Sequence, residues 1–259
     1  MAAARAPLAL TFDNLGEATE LERGTWPAGR ELGRHPTVTE VLPRLLDLLD
    51  ERGLRATFFV EAINAELYPD ALREVAARGH EIGHHGWRHE AWSELDPGAE
   101  AAALTRGLEA FARLGLPVAG FRPPGGDLNP GTLALLAEAG LEWCSPAGDA
   151  PAVRDGVAVV PFRWALVDAY HVMDRFADLR AAHGDPRAAL DAGALRDRLI
   201  AELERHAATG RAGCLVLHPF VGADPAHLDA QVAVLDALDR LALDVRPGGD
   251  VAVALRRGL

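Results

Sequence analysis

Residues 79–89 read Gly-His-Glu-Ile-Gly-His-His-Gly-Trp-Arg-His, and this stretch is the strongest indication of the fold. Gly79, the first residue of this stretch, ends a helix predicted over 68–78. Residues 80–84 are predicted to form a short strand that leads directly to His85. His85 and His89 are four residues apart, a spacing that places both side chains on one side of a helical turn, within reach of one metal ion. The pair follows a strand directly, and in parallel α/β folds the functional site lies at the carboxyl ends of the strands.

Short apolar runs alternate with segments of helical periodicity along the rest of the chain, a pattern typical of a parallel α/β sheet or barrel. The predicted strands are 8–12, 56–60, 80–84, 118–121, 141–144, 157–161 and 214–217. The predicted helices are 36–52, 68–78, 97–114, 130–139, 194–209 and 225–241. Residues 165–191 show no regular pattern and predict a long loop that serves as a lid or a partner surface.

The composition is that of one globular domain spanning residues 1–259. Hydrophobic residues make up 49% and charged residues 25% of the chain, and no repeat or low-complexity linker divides it. The net charge of -12 argues against nucleic acid or an anionic membrane surface as the main partner. Cys144 and Cys214 are far apart and lack metal or redox spacing, so we expect two buried thiols.

The residues before the first predicted strand bear on location. Residues 1–7 are too few for a secretory signal peptide, and no apolar stretch of membrane-spanning length follows them. These two observations predict a cytoplasmic protein without a membrane partner.

Further polar residues follow other predicted strands. Asp13 and Asn14 come after the first strand, and Arg122 and His218 come after later ones. Individually, a turn-capping carboxylate, a surface ion pair or a satisfied core histidine explains each of them. Their joint position at strand ends, together with the histidine pair, favours a single reactive centre at one mouth of the fold.

These motifs resemble those of the polysaccharide deacetylase superfamily, also described as the NodB homology or carbohydrate esterase family 4 group. Residues 11–14, Thr-Phe-Asp-Asn, are similar to the family's Thr-Phe-Asp-Asp motif, and 79–89 resembles its histidine motif. Residues 121–125 match the Arg-Pro-Pro motif, and 215–219 match the last motif. The resemblance covers most of the chain and implies a distorted (β/α) barrel of about seven parallel strands, in a cytoplasmic branch near allantoinase-like and peptidoglycan-deacetylase-like members.

The resemblance implies a divalent metal ion, with zinc expected and cobalt or nickel as alternatives. Carried over by position, His85 and His89 are ligands and Asn14 stands where the family has its third ligand, an aspartate. An amide oxygen is a weaker ligand than a carboxylate for a divalent ion, so the ligand set departs from the family pattern. Three interpretations stay open: Asn14 coordinates weakly, Glu17 or Asp168 supplies the carboxylate, or the protein works without a metal.

The resemblance also assigns the proton chemistry. Asp13 is the general base that takes a proton from water, and His218 is the general acid for the leaving amine. Arg122 holds Asp13 through a charge-assisted bond, and Asp168 orients His218.

Substrate contacts are predicted on the later strands and on the lid. Trp164 and Leu217 are expected to enclose the acyl group, and His171 is expected to contact the substrate from the lid.

Three functions fit these observations. The first is a metal-assisted hydrolase that removes an acyl group, N-acetyl by resemblance, from an amino sugar or a related small molecule. The second is an allantoinase-like hydrolase of a cyclic amide or ureide with a weak metal site or none, a branch in which homo-oligomers are common. The third is a non-catalytic binding protein that kept the fold, although a binding protein has no chemical need for Asp13, Arg122 and His218 together.

Overall fold

One curled sheet carries the fold in the computed structural model, which describes residues 5–258. Its strands are β1 (Ala6–Asp13), β2 (Thr57–Val60), β3 (Glu81–His84), β4 (Gly120–Phe121), β5 (Trp143–Cys144), β6 (Ala152–Arg154), β7 (Val157–Val159), β8 (Phe162–Val167), β9 (Gly213–Leu217) and β10 (Leu243–Arg246). Their order is β6-β7-β5-β4-β3-β2-β1-β9-β8, and β10 pairs with β1 beyond this path.

Seven of these strands form the expected distorted barrel. Every pair on the path from β5 through β4, β3, β2, β1 and β9 to β8 is parallel. The chain after β5 meets the start of β8 at a parallel bridge between Ala147 and Phe162, which brings the two ends of that path together. The antiparallel hairpin of β6 and β7, together with β10, raises the total to ten strands within residues 5–258.

The helices surround the sheet. They are α1 (Ala18–Glu22), α2 (Leu42–Glu51), α3 (Asn64–Leu67), α4 (Pro69–Ala77), α5 (Pro97–Arg113), α6 (Thr132–Glu138), α7 (Asp168–Val172), α8 (Ala177–Ala182), α9 (Ala192–Ala207), α10 (Pro225–Leu238) and α11 (Gly248–Arg256). Aspartates begin three of the longest, because the carboxylates of Asp96, Asp191 and Asp224 accept hydrogen bonds from free backbone N–H groups of the first turn. No helix among the described residues is both long and apolar enough to cross a membrane.

The central strands are buried on both faces, as parallel strands covered by helices must be. All residues of β2 and β9 are buried, and the rings of Phe12 and Phe58 stack at 5.0 Å between centroids. The four leucines that define the apolar face of α2 are buried against this core, namely Leu42, Leu45, Leu46 and Leu49. The rigid sheet places the ends of β1, β2, β3 and β9 side by side, and the polar residues that follow them are therefore neighbours.

The prediction of a long loop over 165–191 is wrong. β8, α7 and α8 occupy much of it, and Arg180 organises the segment from a buried position. The Arg180 guanidinium donates hydrogen bonds to the carbonyls of Tyr170 (2.6 Å), Met173 (2.8 Å) and Pro186 (3.1 Å). This buried cation therefore joins carbonyls on both sides of it and holds the segment in a defined conformation.

The spacing of the histidine pair predicts a helical turn, but His85 and His89 do not lie on one. Residues 85–89 form an irregular loop in which Gly86 and His89 have positive φ angles of 73° each. A side chain at Gly86 would meet the Glu90 carboxylate at 2.6 Å, so this position requires glycine. Hydrogen bonds from Ala62 N to Gly86 O (2.9 Å) and from Ile63 N to Trp87 O (3.1 Å) join this loop to the end of β2.

Candidate active site

The carboxyl ends of the barrel strands open into a cavity of about 860 Å³. Its walls include the polar side chains that the sequence singled out at strand ends, namely Asp13, Asn14, His85, His89, Arg122 and His218. The structure therefore brings residues from four separate motifs to one mouth of the barrel.

Asp13 and Arg122 form a buried ion pair at the end of β1. Arg122 Nη1 lies 2.6 Å from Asp13 Oδ1, and the same nitrogen donates to Thr11 Oγ1 at 2.8 Å. Arg122 Nη2 donates to Ser145 Oγ at 2.8 Å, and the guanidinium lies over the Phe59 ring. These contacts fix the arginine, and the arginine in turn fixes one oxygen of Asp13, leaving Oδ2 free.

His85 is held in the neutral form with one nitrogen facing the site. Its Nδ1 donates to the Arg122 backbone carbonyl at 2.8 Å, so the lone pair is on Nε2, which lies 4.0 Å from Asp13 Oδ2. Burial lowers the pKa of His85 to about 3, and the Arg122 charge contributes in the same direction. A neutral imidazole whose other nitrogen is bonded to a carbonyl has the arrangement of a metal ligand.

Glu61, His85 and His89 are close enough to share one ion. One ligand atom from each side chain lies within 4.8 Å of the other two, and the two imidazole rings are 4.9 Å apart. Burial lowers the pKa of His89 well below its usual value, and the neighbouring Arg23 and Arg175 charges also lower it. Two neutral imidazoles and a carboxylate oxygen suit zinc and similar divalent ions.

Glu61 directly follows β2 and is fully buried. Its Oε1 accepts a hydrogen bond from Asn14 Nδ2 at 2.6 Å, and its Oε2 accepts from Leu15 N at 3.2 Å. Burial raises the pKa of Glu61 to about 8 despite these bonds, and the nearby Asp13 charge also raises it. The Asn14 amide nitrogen therefore contacts the Glu61 carboxylate. The sequence had suggested instead that the Asn14 amide is itself a metal ligand.

The two alternative carboxylates have other partners. Glu17 accepts hydrogen bonds from the Tyr68 hydroxyl and from Gly33 N, and Asp168 is bonded to His218. Neither belongs to the metal-binding trio, so the expectation that Glu17 or Asp168 replaces the missing aspartate is not met. Sequence reasoning missed Glu61, although its position immediately after the strand 56–60 was an available signal.

His218 has a different environment at the end of β9. Its Nδ1 lies 2.6 Å from Asp168 Oδ1, and its backbone N donates to Asp168 Oδ2 at 2.9 Å. Gln231 Nε2 donates to the same Oδ2 at 2.7 Å and Ala169 N donates to Oδ1 at 2.5 Å, so four groups hold the carboxylate. The ring nitrogen that remains, Nε2, is the one that can exchange a proton with a ligand in the cavity.

The predicted substrate contacts are only partly brought to the cavity. Trp164 lines it, but Leu217 does not, because the strand alternation of β9 directs Val216 and His218 towards the cavity instead. His171 is also absent from the lining, since it is buried with its Nε2 3.0 Å from the Ala165 carbonyl oxygen. These two placements correct the sequence prediction.

The chain is similar to proteins of known family. The family model described as polysaccharide deacetylase matches residues 3–144, more than half of the 259 residues. The chain belongs to the polysaccharide deacetylase family. The match includes the Asp13, His85, His89 and Arg122 motifs of this polysaccharide deacetylase family member, and it ends before the segment that carries Asp168 and His218.

The curated relatives are longer proteins or match only locally. A peptidoglycan-N-acetylglucosamine deacetylase of Bacillus cereus is 32% identical over 110 residues, which are 42% of this chain and 50% of that protein. A chitin deacetylase of Cryptococcus neoformans is 30% identical over 121 residues, which are 46% of this chain and 25% of that protein. The chain spans half or less of the length of these relatives.

Solved structures match over nearly the whole chain. A Mycobacterium smegmatis protein assigned to the polysaccharide deacetylases has 29% sequence identity and a TM-score of 0.84, covering 100% of this chain and 93% of that one. A Puue allantoinase has 18% identity and a TM-score of 0.76, with 96% and 89% covered, which is a likeness of fold alone.

Proposed function

We propose that this chain hydrolyses an acyl amide, with the N-acetyl group of an amino sugar or a related small molecule as the substrate class. One observation supports this function above the others. The two histidines of the metal-binding trio, a carboxylate paired with an arginine, and a histidine paired with the buried Asp168 line the same cavity, and the third member of the trio, Glu61, is buried beside it. A binding protein has no chemical use for all three arrangements together.

The residues present fit a divalent ion. Glu61, His85 and His89 would hold it, because their donor atoms converge and the His85 lone pair is fixed by the Arg122 carbonyl. Such an ion polarises an acyl carbonyl and makes a water molecule more acidic. Asn14 holds the Glu61 carboxylate through its amide nitrogen, so we assign Asn14 the role of positioning Glu61 in place of a direct ligand role.

Asp13 is proposed as the general base. Its Oδ1 is held by Arg122, whereas its Oδ2 faces His85 Nε2 across 4.0 Å and is free to accept a proton from the attacking water. The arginine orients the carboxylate through this charge-assisted bond.

His218 is proposed as the general acid that protonates the departing amine. Its Nε2 delivers the proton, and Asp168 stabilises the imidazolium through the bond to Nδ1. Trp164 and Val216 line the same cavity and offer apolar surface to the acyl group.

Other predictions stay open beside this proposal. We propose residues 1–259 as a single catalytic domain, since the β1-centred sheet runs through both halves of the described chain. Zinc as the ion, the cytoplasmic location, the absence of nucleic acid and membrane partners, and a homo-oligomer stay predictions. The likeness to an allantoinase concerns the fold, and the polar groups in the cavity do not favour a ureide over an acetamide.

Acetate release from N-acetylglucosamine and its short oligomers tests the function. The parent protein, loaded with zinc, is expected to release acetate, and Asp13→Asn and His218→Gln are expected to lower the rate by about 100- to 10,000-fold each. Arg113→Gln is the matched control, because Arg113 is exposed, contacts Glu66 at 3.7 Å and does not line the cavity.

Circular dichroism confirms that each variant is folded. Unchanged acetate release in both folded variants would refute the roles of Asp13 and His218. Absence of release by the parent from every acetamido sugar tried, with the ion bound, would refute the proposed reaction.

A further inference from the structure

Two arginines at the cavity have no acidic partner. Arg23 follows α1, and Arg175 lies in the turn Asp174–Phe176 between α7 and α8. Both line the cavity, and no carboxylate of residues 5–258 lies within 4.0 Å of either guanidinium. Two arginines from separate parts of the chain therefore line one cavity without an acidic partner.

The other arginines of the cavity are all paired. Arg122 contacts Asp13 at 2.6 Å, Arg198 contacts Asp185 at 2.5 Å and Glu202 at 3.2 Å, and Arg163 lies 3.9 Å from Glu202. The protein carries 38 acidic residues against 26 basic ones, so carboxylates are abundant. In such a chain, two adjacent cations that lack a partner inside a cavity indicate a site for an external anion.

Arg23 and Arg175 line the same cavity as His85 and His89. Burial and then the Arg23 charge lower the pKa of Arg175 to about 10, so the Arg175 side chain is cationic at neutral pH. Both charges also act on His89. Asp127 and Asp149 line the cavity too, on loops after β4 and β5, but neither lies within ion-pair distance of the two arginines.

We infer that Arg23 and Arg175 bind an anionic group of the substrate, so that the preferred substrate is an acylated amino compound carrying a carboxylate or a phosphate. This inference rests on the proposed hydrolysis and specifies its substrate class. Guanidinium groups bind carboxylate and phosphate oxygens in paired hydrogen bonds, and two of them together match a group with two or three oxygens.

Three sugars that differ only at C6 provide the test. They are N-acetylglucosamine, its C6 carboxylate (the uronic acid) and its 6-phosphate, and the measured quantity is kcat/KM for acetate release. The parent is expected to prefer at least one anionic sugar over the neutral one by about tenfold or more. The larger of the two preferences identifies carboxylate or phosphate as the source of the anion.

The variant Arg23→Gln/Arg175→Gln is expected to bring the ratio of anionic to neutral kcat/KM close to one. Arg113→Gln, an exposed arginine outside the cavity, is expected to keep the ratio of the parent. A parent ratio near one, or a ratio that survives in the double variant, would overturn the inference while leaving the proposed hydrolysis intact.

Calorimetric binding of the 6-phosphate and the uronic acid separates the two proposals. If the parent releases no acetate but binds an anionic sugar, and the double variant does not, the anion site stands and the proposed reaction fails. If the parent neither hydrolyses nor binds any of the three sugars, both are overturned.

Discussion

The histidines on the two sides of the cavity are held by different partners. On the β3 side, the Nδ1 of His85 is bonded to a backbone carbonyl, and the ring is buried and neutral. On the β9 side, the Nδ1 of His218 is bonded to the carboxylate of Asp168 at 2.6 Å. A carbonyl favours the neutral ring, which can coordinate an ion, whereas a carboxylate stabilises the imidazolium, which can donate a proton.

The group that is bonded to Nδ1 therefore indicates the role of each histidine. His85 shares its converging donors with His89 and Glu61, while His218 stands with Asp168 and Gln231. The two sides are therefore expected to fail in different ways when they are altered.

The largest expected effect distinguishes the two sides directly. His218→Gln removes the proton donor, so acetate release should fall by about 100- to 10,000-fold while the metal content stays that of the parent. His85→Gln should lower both quantities, because it removes a ligand. Elemental analysis beside acetate release checks this, and metal loss in His218→Gln would break the comparison.

A smaller effect is expected at the partner of His218. Asp168→Asn keeps the shape of the side chain but removes the charge that stabilises the imidazolium, so kcat/KM should fall by about 10- to 100-fold. Asp178→Asn, an exposed aspartate of α8, is the control. A kcat/KM equal to that of the parent would contradict the orienting role of Asp168.

The smallest expected effect concerns stability and the start of β3. His80 is buried, and burial lowers its pKa from 6.5 to about 4. The unfolded chain therefore binds a proton between pH 6.5 and 4 that the folded protein excludes, and the free energy of unfolding should decrease there as the pH falls. The slope from one such group reaches about 1.4 kcal/mol per pH unit.

Denaturant unfolding at several pH values checks this effect. His80→Asn should flatten the slope, whereas His183→Asn, which alters an exposed histidine, should leave it unchanged. An unaltered slope in folded His80→Asn protein would show that burial of His80 does not set the acid sensitivity.

Much of the fold was predictable because its signals are local. Glycine-terminated helices and apolar strands placed most elements, and motif likeness placed Asp13, Arg122 and His218 at strand ends. Elements without such local signals were missed, including β10 and α11 and the helices around Arg180. Arg180 donates to the carbonyls of Pro186 and Tyr170, six and ten residues away, and no periodic sequence pattern reveals such contacts.

Details of the site depended on the three-dimensional arrangement. Alternate residues of β9 face the cavity, so Val216 lines it and Leu217 does not. Because all residues of β9 are apolar and buried, the sequence shows no polar–apolar alternation from which this orientation could be predicted. Glu61 meets His85 and His89 only because β2 and β3 are neighbours in the sheet. His171 follows the end of β8, yet its ring turns back to the Ala165 carbonyl.

Metal content tests the central claim most directly, because the claim is that Glu61 has taken over the ligand role that the family gives to the residue at position 14. The parent is expected to bind about one equivalent of zinc, and Glu61→Gln is expected to weaken the affinity by about 100-fold or more. Glu17→Gln, which alters a buried carboxylate outside the trio, should bind as the parent does. Asn14→Asp/Glu61→Gln should recover binding, because it returns a carboxylate to position 14. Equal zinc affinity in the parent and in folded Glu61→Gln protein would contradict the account.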